Sequence, residues 1–455
     1  MQTIDTLLEC RWLAPVRPTG ALLEHHAVAI DAGRIVAVEP IAQATARFAP
    51  RARAALGTHL VTPGLVNAHT HAAMTLLRGV GDDLPLKRWL EERIWPLETA
   101  LVDAQFVFDG AQLAAMEMLR AGVTCCSDMY FYPEESARGL RSAGMRAVVG
   151  IIAIEFPTRY ATDAEDYLRK GLAARDGLRD DPLVAFTLAP HAPYTVSDAT
   201  LGRVAMLAEE LDLPVHIHVH ETAHEVDESV ARSGLRPLAR LDRLGLVGER
   251  LIAVHAVHLS DAEIRLLAER GAHVAHCPAS NLKLASGIAR SADLLAAGVN
   301  LTFGTDGAAS NNRLDLLDEM RLAALLAKGA SGDPAALPAM QALECATLGA
   351  ARALGLDRRI GSIEVGKEAD ITAFDLSAIE TSPVYDPVSH LVYACGRENV
   401  SDVWVAGQPV VQKRQLSQTC VNAPEAAIFH SIGAWQNRSR QFLKAPDKQA
   451  TASAR

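Results

Sequence analysis

Short runs of apolar and β-branched residues recur between residues 60 and 306, and longer stretches with helical spacing of apolar positions separate them. The strand-like runs are 60–67, 123–129, 146–154, 183–190, 214–220, 250–257, 273–278 and 300–306. The segments between them, such as Ala-Gln-Leu-Ala-Ala-Met-Glu-Met-Leu-Arg-Ala-Gly at 111–122, place apolar side chains three and four residues apart, the spacing of an amphipathic helix. Eight strands alternating with helices predict an α/β fold, a parallel (β/α)₈ TIM barrel, with a doubly wound open sheet as the structural alternative.

The two ends of the chain carry a different pattern. Residues 28–38 read as two strands around an Ala-Gly turn, and 369–376 and 402–411 repeat that alternating, turn-punctuated style. The expectation is a small β-sandwich domain built from both termini. It would comprise residues 1–60 with 362–425, flanking a barrel over 61–361 and followed by a C-terminal tail over 426–455. From about residue 434 the chain has little periodicity, which predicts an exposed helix or a frayed end.

Composition narrows the partners. Of 455 residues 49% are apolar and 22% charged, so disorder is not the default, and a net charge of -10 argues against nucleic acid as a partner because phosphate binding needs a basic surface. Seven cysteines show no CxxC spacing, and Cys125 and Cys126 are adjacent, which predicts reduced, mostly buried thiols. Asp5 and Glu9 stand where a secretory signal would be apolar, and no apolar run is long enough to span a bilayer. A cytoplasmic protein with no membrane partner is therefore expected.

Candidate chemistry sits at the ends of the strand-like runs, where a barrel of this kind builds its active site. In Asn67-Ala68-His69-Thr70-His71 the two histidines, at i and i+2, share a face of an extended chain. The fifth run ends in His216-Ile217-His218-Val219-His220-Glu221, where alternation puts three histidines on one face and spacing alone does not choose among them. The sixth ends at His255, with His258 three residues on. The eighth ends in Gly304-Thr305-Asp306-Gly307, with glycines that let the backbone turn sharply around an acid. Imidazole and carboxylate groups from several strand ends, converging on one mouth, predict a metal site. His220-Glu221-Thr222-Ala223-His224 matches HExxH, but that zinc motif must lie on a helix and here it follows a strand.

The runs PGLVNAHTH, HVHET, VHAVH, HCPASNLKLASG and GTDGAASNN closely resemble the amidohydrolase superfamily. Within it, NAHTHAAMTLLRG and DLPLKRWLEERIWPLE resemble the 5′-methylthioadenosine/S-adenosylhomocysteine deaminases and their adenosine-deaminating relatives, which are related to the triazine hydrolases. GSIEVGKEADI resembles that family's return into the small sheet domain. Carried over position by position, the resemblance implies His69, His71, His218 and Asp306 as metal ligands, with His218 chosen by its pairing with Glu221 three residues later. It implies Glu221 as proton shuttle, delivering a proton to N1 of the adenine while water activated by the metal attacks C6. His255 and Asp306 would complete the catalytic set, Asp306 relaying a proton to the departing ammonia. Glu98 and His191 match positions that contact the ribose and base, whereas Arg159, the nearest candidate for binding a substrate tail, has surroundings that do not align and stays outside the site.

Two-metal members of the superfamily use a carboxylated lysine from a middle strand. The third and fourth runs contain no lysine, so one divalent metal is expected, zinc by its donor set with Fe²⁺ as the alternative. The implied partner is a small purine nucleoside, and homo-oligomerisation stays open. The rival readings are an aminohydrolase of guanine, 8-oxoguanine, a pterin or a triazine, and, more remotely, a non-catalytic amidohydrolase-like scaffold. Leu84, Leu86 and Trp89 read equally as an apolar lid or as core.

Overall fold

A computed structural model describes residues 1–417 and 425–444. Eight parallel strands follow one another around a single sheet: β1 (Leu65–Thr70), β2 (Val123–Asp128), β3 (Arg146–Ala153), β4 (Val184–Pro190), β5 (Val215–Val219), β6 (Leu251–His255), β7 (His273–His276) and β8 (Asn300–Phe303). Helices cover the outside, and every residue of β1, β2 and β3 is buried, as expected for strands packed on both faces. The ring closes where the amide of Asp306 donates to the His69 carbonyl at 3.1 Å. Asn67 staples the same seam, its Oδ1 accepting from the Thr305 amide at 3.0 Å and its Nδ2 donating to Thr305 Oγ1 at 2.8 Å. The expected TIM barrel is present, and the open-sheet alternative falls away.

The first strand lies later than the hydrophobic run suggested. Residues 60–63 end the long strand Phe48–Pro63, which belongs to the other sheet, and β1 starts after Gly64. Gly64 makes the hand-over: a Cβ there would come within 2.1 Å of the Thr124 hydroxyl, so only glycine lets the chain pass from one sheet to the next.

The second sheet draws strands from both termini: Gln2–Leu13, Leu23–Asp31, Arg34–Pro40 and Phe48–Pro63 from the start of the chain, and Ile371–Asp375, Val400–Val405, Gln408–Gln412 and Gln415–Leu416 from its end. It is mixed, because Gln2–Leu13 runs parallel to Phe48–Pro63 while its other pairings are antiparallel. Two of its hairpins turn on Ala32-Gly33 and Ala406-Gly407, all four residues at positive φ, and these turns lie against each other. A Cβ on Gly33 would lie 2.7 Å from the Ala406 carbonyl oxygen.

The helix Glu425–Lys444 is mostly exposed beyond residue 434, but one face of it packs against the rest of the molecule. Ile428, Trp435 and Ser439 are buried on one face, the Trp435 ring meets Phe106 edge-on at 5.1 Å, and its Nε1 donates to Asp109 Oδ2 at 2.8 Å. Ile428, Ile432 and Trp435 stand at the helical spacing i, i+4, i+7, a stripe that lies mostly before residue 434. The expected domain boundary at 425 and the end of the tail involve residues 418–424 and 445–455, which lie outside the described residues.

Candidate active site

The carboxyl ends of the barrel strands open into a cleft. His71, Glu98, His191, His218, Glu221, His255 and Asp306 line it, and His69 is fully buried beneath. Backbone geometry aims several of these groups. His255 and Asp306 have φ of 68° and 60°, left-handed values that end each strand abruptly and turn the side chain toward the mouth, whereas the same kind of turn at His220, φ 58°, carries its ring away from it. Gly304 is required for close approach, since a Cβ there would sit 2.7 Å from that of His69.

At the centre, Asp306 Oδ1 lies 3.4 Å from His69 Nε2 and 3.3 Å from His71 Nε2, and His218 Nε2 lies 3.3 Å from His69 Nε2. The tautomers follow from the outer contacts. His71 Nδ1 is 2.6 Å from the Met129 carbonyl and His218 Nδ1 is 2.7 Å from the His191 carbonyl. A carbonyl only accepts, so each Nδ1 carries the proton and each Nε2 turns a lone pair inward. Burial lowers His69 to about 4 and His218 well below the ordinary imidazole range, so both remain neutral near pH 7. Asp306 lies well below the usual carboxylate range, although burial acts upward, and stays ionised. Its Oδ2 accepts from Ser280 Oγ at 2.6 Å and Ser310 Oγ at 2.8 Å, leaving Oδ1 for the centre. Three imidazole lone pairs and a carboxylate facing one another repel unless a cation lies among them, and this donor set suits zinc.

Across the cleft, His255 Nε2 is 3.9 Å from Glu221 Oε2, and its Nδ1 is 2.8 Å from Asn281 Oδ1. Burial raises the Glu221 carboxyl above its ordinary value, with His255 opposing. For His255 burial acts downward, and the carboxylates of Glu221 and Asp306 outweigh it, so the imidazole lies above its usual range. Glu225 clamps the Glu221 turn, accepting from the His220 amide at 3.0 Å and the Glu221 amide at 2.8 Å. Burial pushes Glu98 up to about 7 against the Tyr130 hydroxyl, which donates to it at 2.7 Å. Burial lowers His191 to about 3, and its Nδ1 contacts Thr195 Oγ1 at 2.9 Å.

The three histidines of the fifth strand separate. His218 faces the centre, His216 lies behind His69 with its Nε2 3.0 Å from His69 Nδ1, and His220 turns away to Glu263 at 3.2 Å and the Leu238 amide at 3.1 Å. The HExxH match has no structural basis: the helix starts at Ala223, and His224 is exposed beside Glu228. Leu86 and Trp89 line the cleft, while Leu84 packs in the cluster below. Arg159, left outside the site by the sequence, lines the cleft beside Trp95, Phe156 and Tyr160. Ser280, Ser310, Asn281 and Tyr130 were also missed, although the first three lie in motifs that carried the resemblance.

The amidohydrolase family profile matches residues 60–410. This chain belongs to the amidohydrolase family. It is 47% identical over 432 residues to a 5-methylthioadenosine/S-adenosylhomocysteine deaminase of Saccharophagus degradans, covering 95% of this chain and 96% of that protein. The crystal structure of an adenosine deaminase from Xanthomonas campestris with bound zinc superposes with a TM-score of 0.94 at 52% identity, covering 97% of this chain and 99% of that one. An atrazine chlorohydrolase from Arthrobacter aurescens complexed with zinc shares the fold, with a TM-score of 0.87 at 23% identity over 95% of this chain and 100% of that one. Amidohydrolases are metal-dependent hydrolases, in keeping with the cluster at the barrel mouth. Among the described residues no helix is long and apolar enough to cross a membrane.

Proposed function

We propose that this chain hydrolytically deaminates adenosine-type nucleosides carrying a 5′ thioether, 5′-methylthioadenosine and S-adenosylhomocysteine, giving the inosine analogue and ammonia. The observation that carries the reading is the inward convergence of His69, His71, His218 and Asp306 directly beside Glu221 and His255. The deaminase names borne by relatives that span nearly the whole chain support it. His69, His71, His218 and Asp306 would hold one zinc ion, which would supply the Lewis acidity that makes water a nucleophile near neutral pH.

The chain's own groups then manage protons and position. Glu221, whose buried carboxyl is easier to protonate than an exposed one, gives a proton to N1 and makes C6 electrophilic. Asp306, fixed by Ser280 and Ser310, accepts the proton released as water adds and passes it to the departing amine, His255, fixed by Asn281, orients the attacking water, and Glu221 recovers its proton from the new C6 hydroxyl as the C–N bond breaks. Neutral His191 stands beside the base. Glu98 offers carboxylate oxygens to the two ribose hydroxyls, and Trp95, Phe156 and Tyr160 form an aromatic wall for the thioether. The terminal strands serve as a separate small domain on which the barrel rests.

Ammonia release from a panel of compounds tests the reading. The two thioethers are expected to have the highest kcat/KM, adenosine less, and 2′,3′-dideoxyadenosine and adenine little. If guanine or free adenine were best, the nucleoside assignment would fail while the hydrolytic chemistry survived.

A further inference from the structure

Each inward-facing imidazole must have its outer nitrogen held, or the ring is free to rotate away from the ion. For His71 and His218 a backbone carbonyl does this, so no substitution at another side chain removes it. His69 differs. Its Nδ1 meets a side chain, His216 Nε2, at 3.0 Å, and His216 Nδ1 in turn lies 3.3 Å from Ser127 Oγ. All three residues are fully buried inside the barrel below the cleft, and each belongs to a different strand: β1, β5 and β2.

Proton bookkeeping fixes the direction of this chain of contacts. With the His69 Nε2 lone pair turned toward Asp306 and His218, its single proton sits on Nδ1 and must be donated outward. The acceptor is His216 Nε2, which is therefore bare, and the His216 proton sits on Nδ1 and goes to the Ser127 hydroxyl oxygen. We propose that His216 is a positioning residue for the metal site, an imidazole that holds the His69 tautomer and ring angle from behind and takes no part in ligation or proton transfer. This rests on the metal reading of the mouth cluster. His216 is not a ligand itself, because its Nε2 is spent on His69, and neither candidate ligand group contains it.

Partners of this kind behind a ligating histidine typically contribute about 10–100-fold to metal affinity. The test is the zinc dissociation constant, measured by competition with a chromophoric chelator on the full chain, together with zinc content and thermal melting. Wild type should bind one zinc. His216→Leu, which offers no acceptor, should bind it about 10–100-fold more weakly. His216→Asn and His216→Gln, whose amide oxygens can accept the Nδ1 proton, should recover much of that loss, and Ser127→Ala should cost less than His216→Leu. Once saturated with zinc, His216→Asn should keep the wild-type KM. Wild-type affinity in a folded His216→Leu protein would overturn the inference, as would equally weak binding in His216→Leu and the two amide variants. A change in stoichiometry from two ions to one in His216→Leu would make His216 a ligand and overturn it as well. Should His216→Leu not fold, the amide variants and Ser127→Ala decide: binding no better than about 100-fold weaker in all three would contradict the acceptor role. Failure of wild type to bind zinc at all would instead remove the metal reading on which the inference stands.

Discussion

Two buried clusters of charge, one at each end of the barrel, obey opposite rules. At the closed end, Arg146 from the start of β3 grips Asp370 through two contacts of 2.8 and 2.9 Å and Glu368 through one of 2.6 Å, and Arg359 reaches Glu368 at 2.7 Å. Two cations meet two anions, the hydrogen bonds are satisfied, and the cluster pins the barrel to the terminal sheet. At the open end, neutral imidazoles point lone pairs at each other and at an ionised Asp306, with no cationic side chain among them. The first cluster is electrically complete and the second is not. Burial by itself therefore does not mark a functional site. An arrangement that the protein's own groups leave unbalanced does.

Removing the proton carrier beside the unbalanced cluster should have the largest effect. Glu221→Gln is expected to keep zinc and lose about 10²–10⁴ in kcat, since an amide cannot shuttle a proton. Steady-state kinetics with metal analysis checks this, and most of the wild-type kcat surviving would remove Glu221 from the chemistry. Breaking the balanced cluster should hurt stability alone. Arg146→Met strands the buried carboxylate of Asp370, while Glu368 keeps Arg359, for an expected loss of about 3–5 kcal/mol in denaturant unfolding, with zinc affinity unchanged in the folded protein. A parallel loss of zinc affinity would mean that the two ends are coupled.

Metal loading separates the clusters from the other side. At free zinc about 1,000 times the dissociation constant, the folded state gains about 4 kcal/mol. That gain should persist in Arg146→Met and vanish in Asp306→Asn, as read from melting with and without chelator.

The smallest effect concerns Glu98, poised near 7. Below that value the carboxyl is neutral and loses one of its acceptor oxygens, and above it both oxygens serve the ribose. KM for a nucleoside should therefore fall about 10-fold as pH rises from about 6 to about 8, and Glu98→Gln should flatten the profile. An unchanged pH profile in that variant would assign the titration elsewhere.

How far the sequence could be read follows the same division. His69, His71 and Asp306 were legible because period-two spacing and flanking glycines are local signals. Alternation alone did not choose among His216, His218 and His220; His218 was chosen only through the resemblance. The left-handed turn at His220 and the contact of His216 with His69 are what separate them. Ser280, Ser310 and Asn281 were invisible as supports because they act on Asp306 and His255 across loops that only the folded barrel brings together. The start of β1 was misplaced because the apolar run continues unbroken through Pro63-Gly64 while the chain changes sheets. Arg146, Glu368 and Asp370 gave no sequence signal, since their pairing spans more than 220 residues.

The central claim is that the open-end cluster is completed by one divalent ion on which turnover depends. Titrating zinc into chelator-stripped protein while following ammonia release from 5′-methylthioadenosine tests it most directly. The expected result is no activity without metal and a linear rise that ends at one zinc per chain. Full turnover in the stripped protein, or a break at two zinc ions per chain, would contradict it.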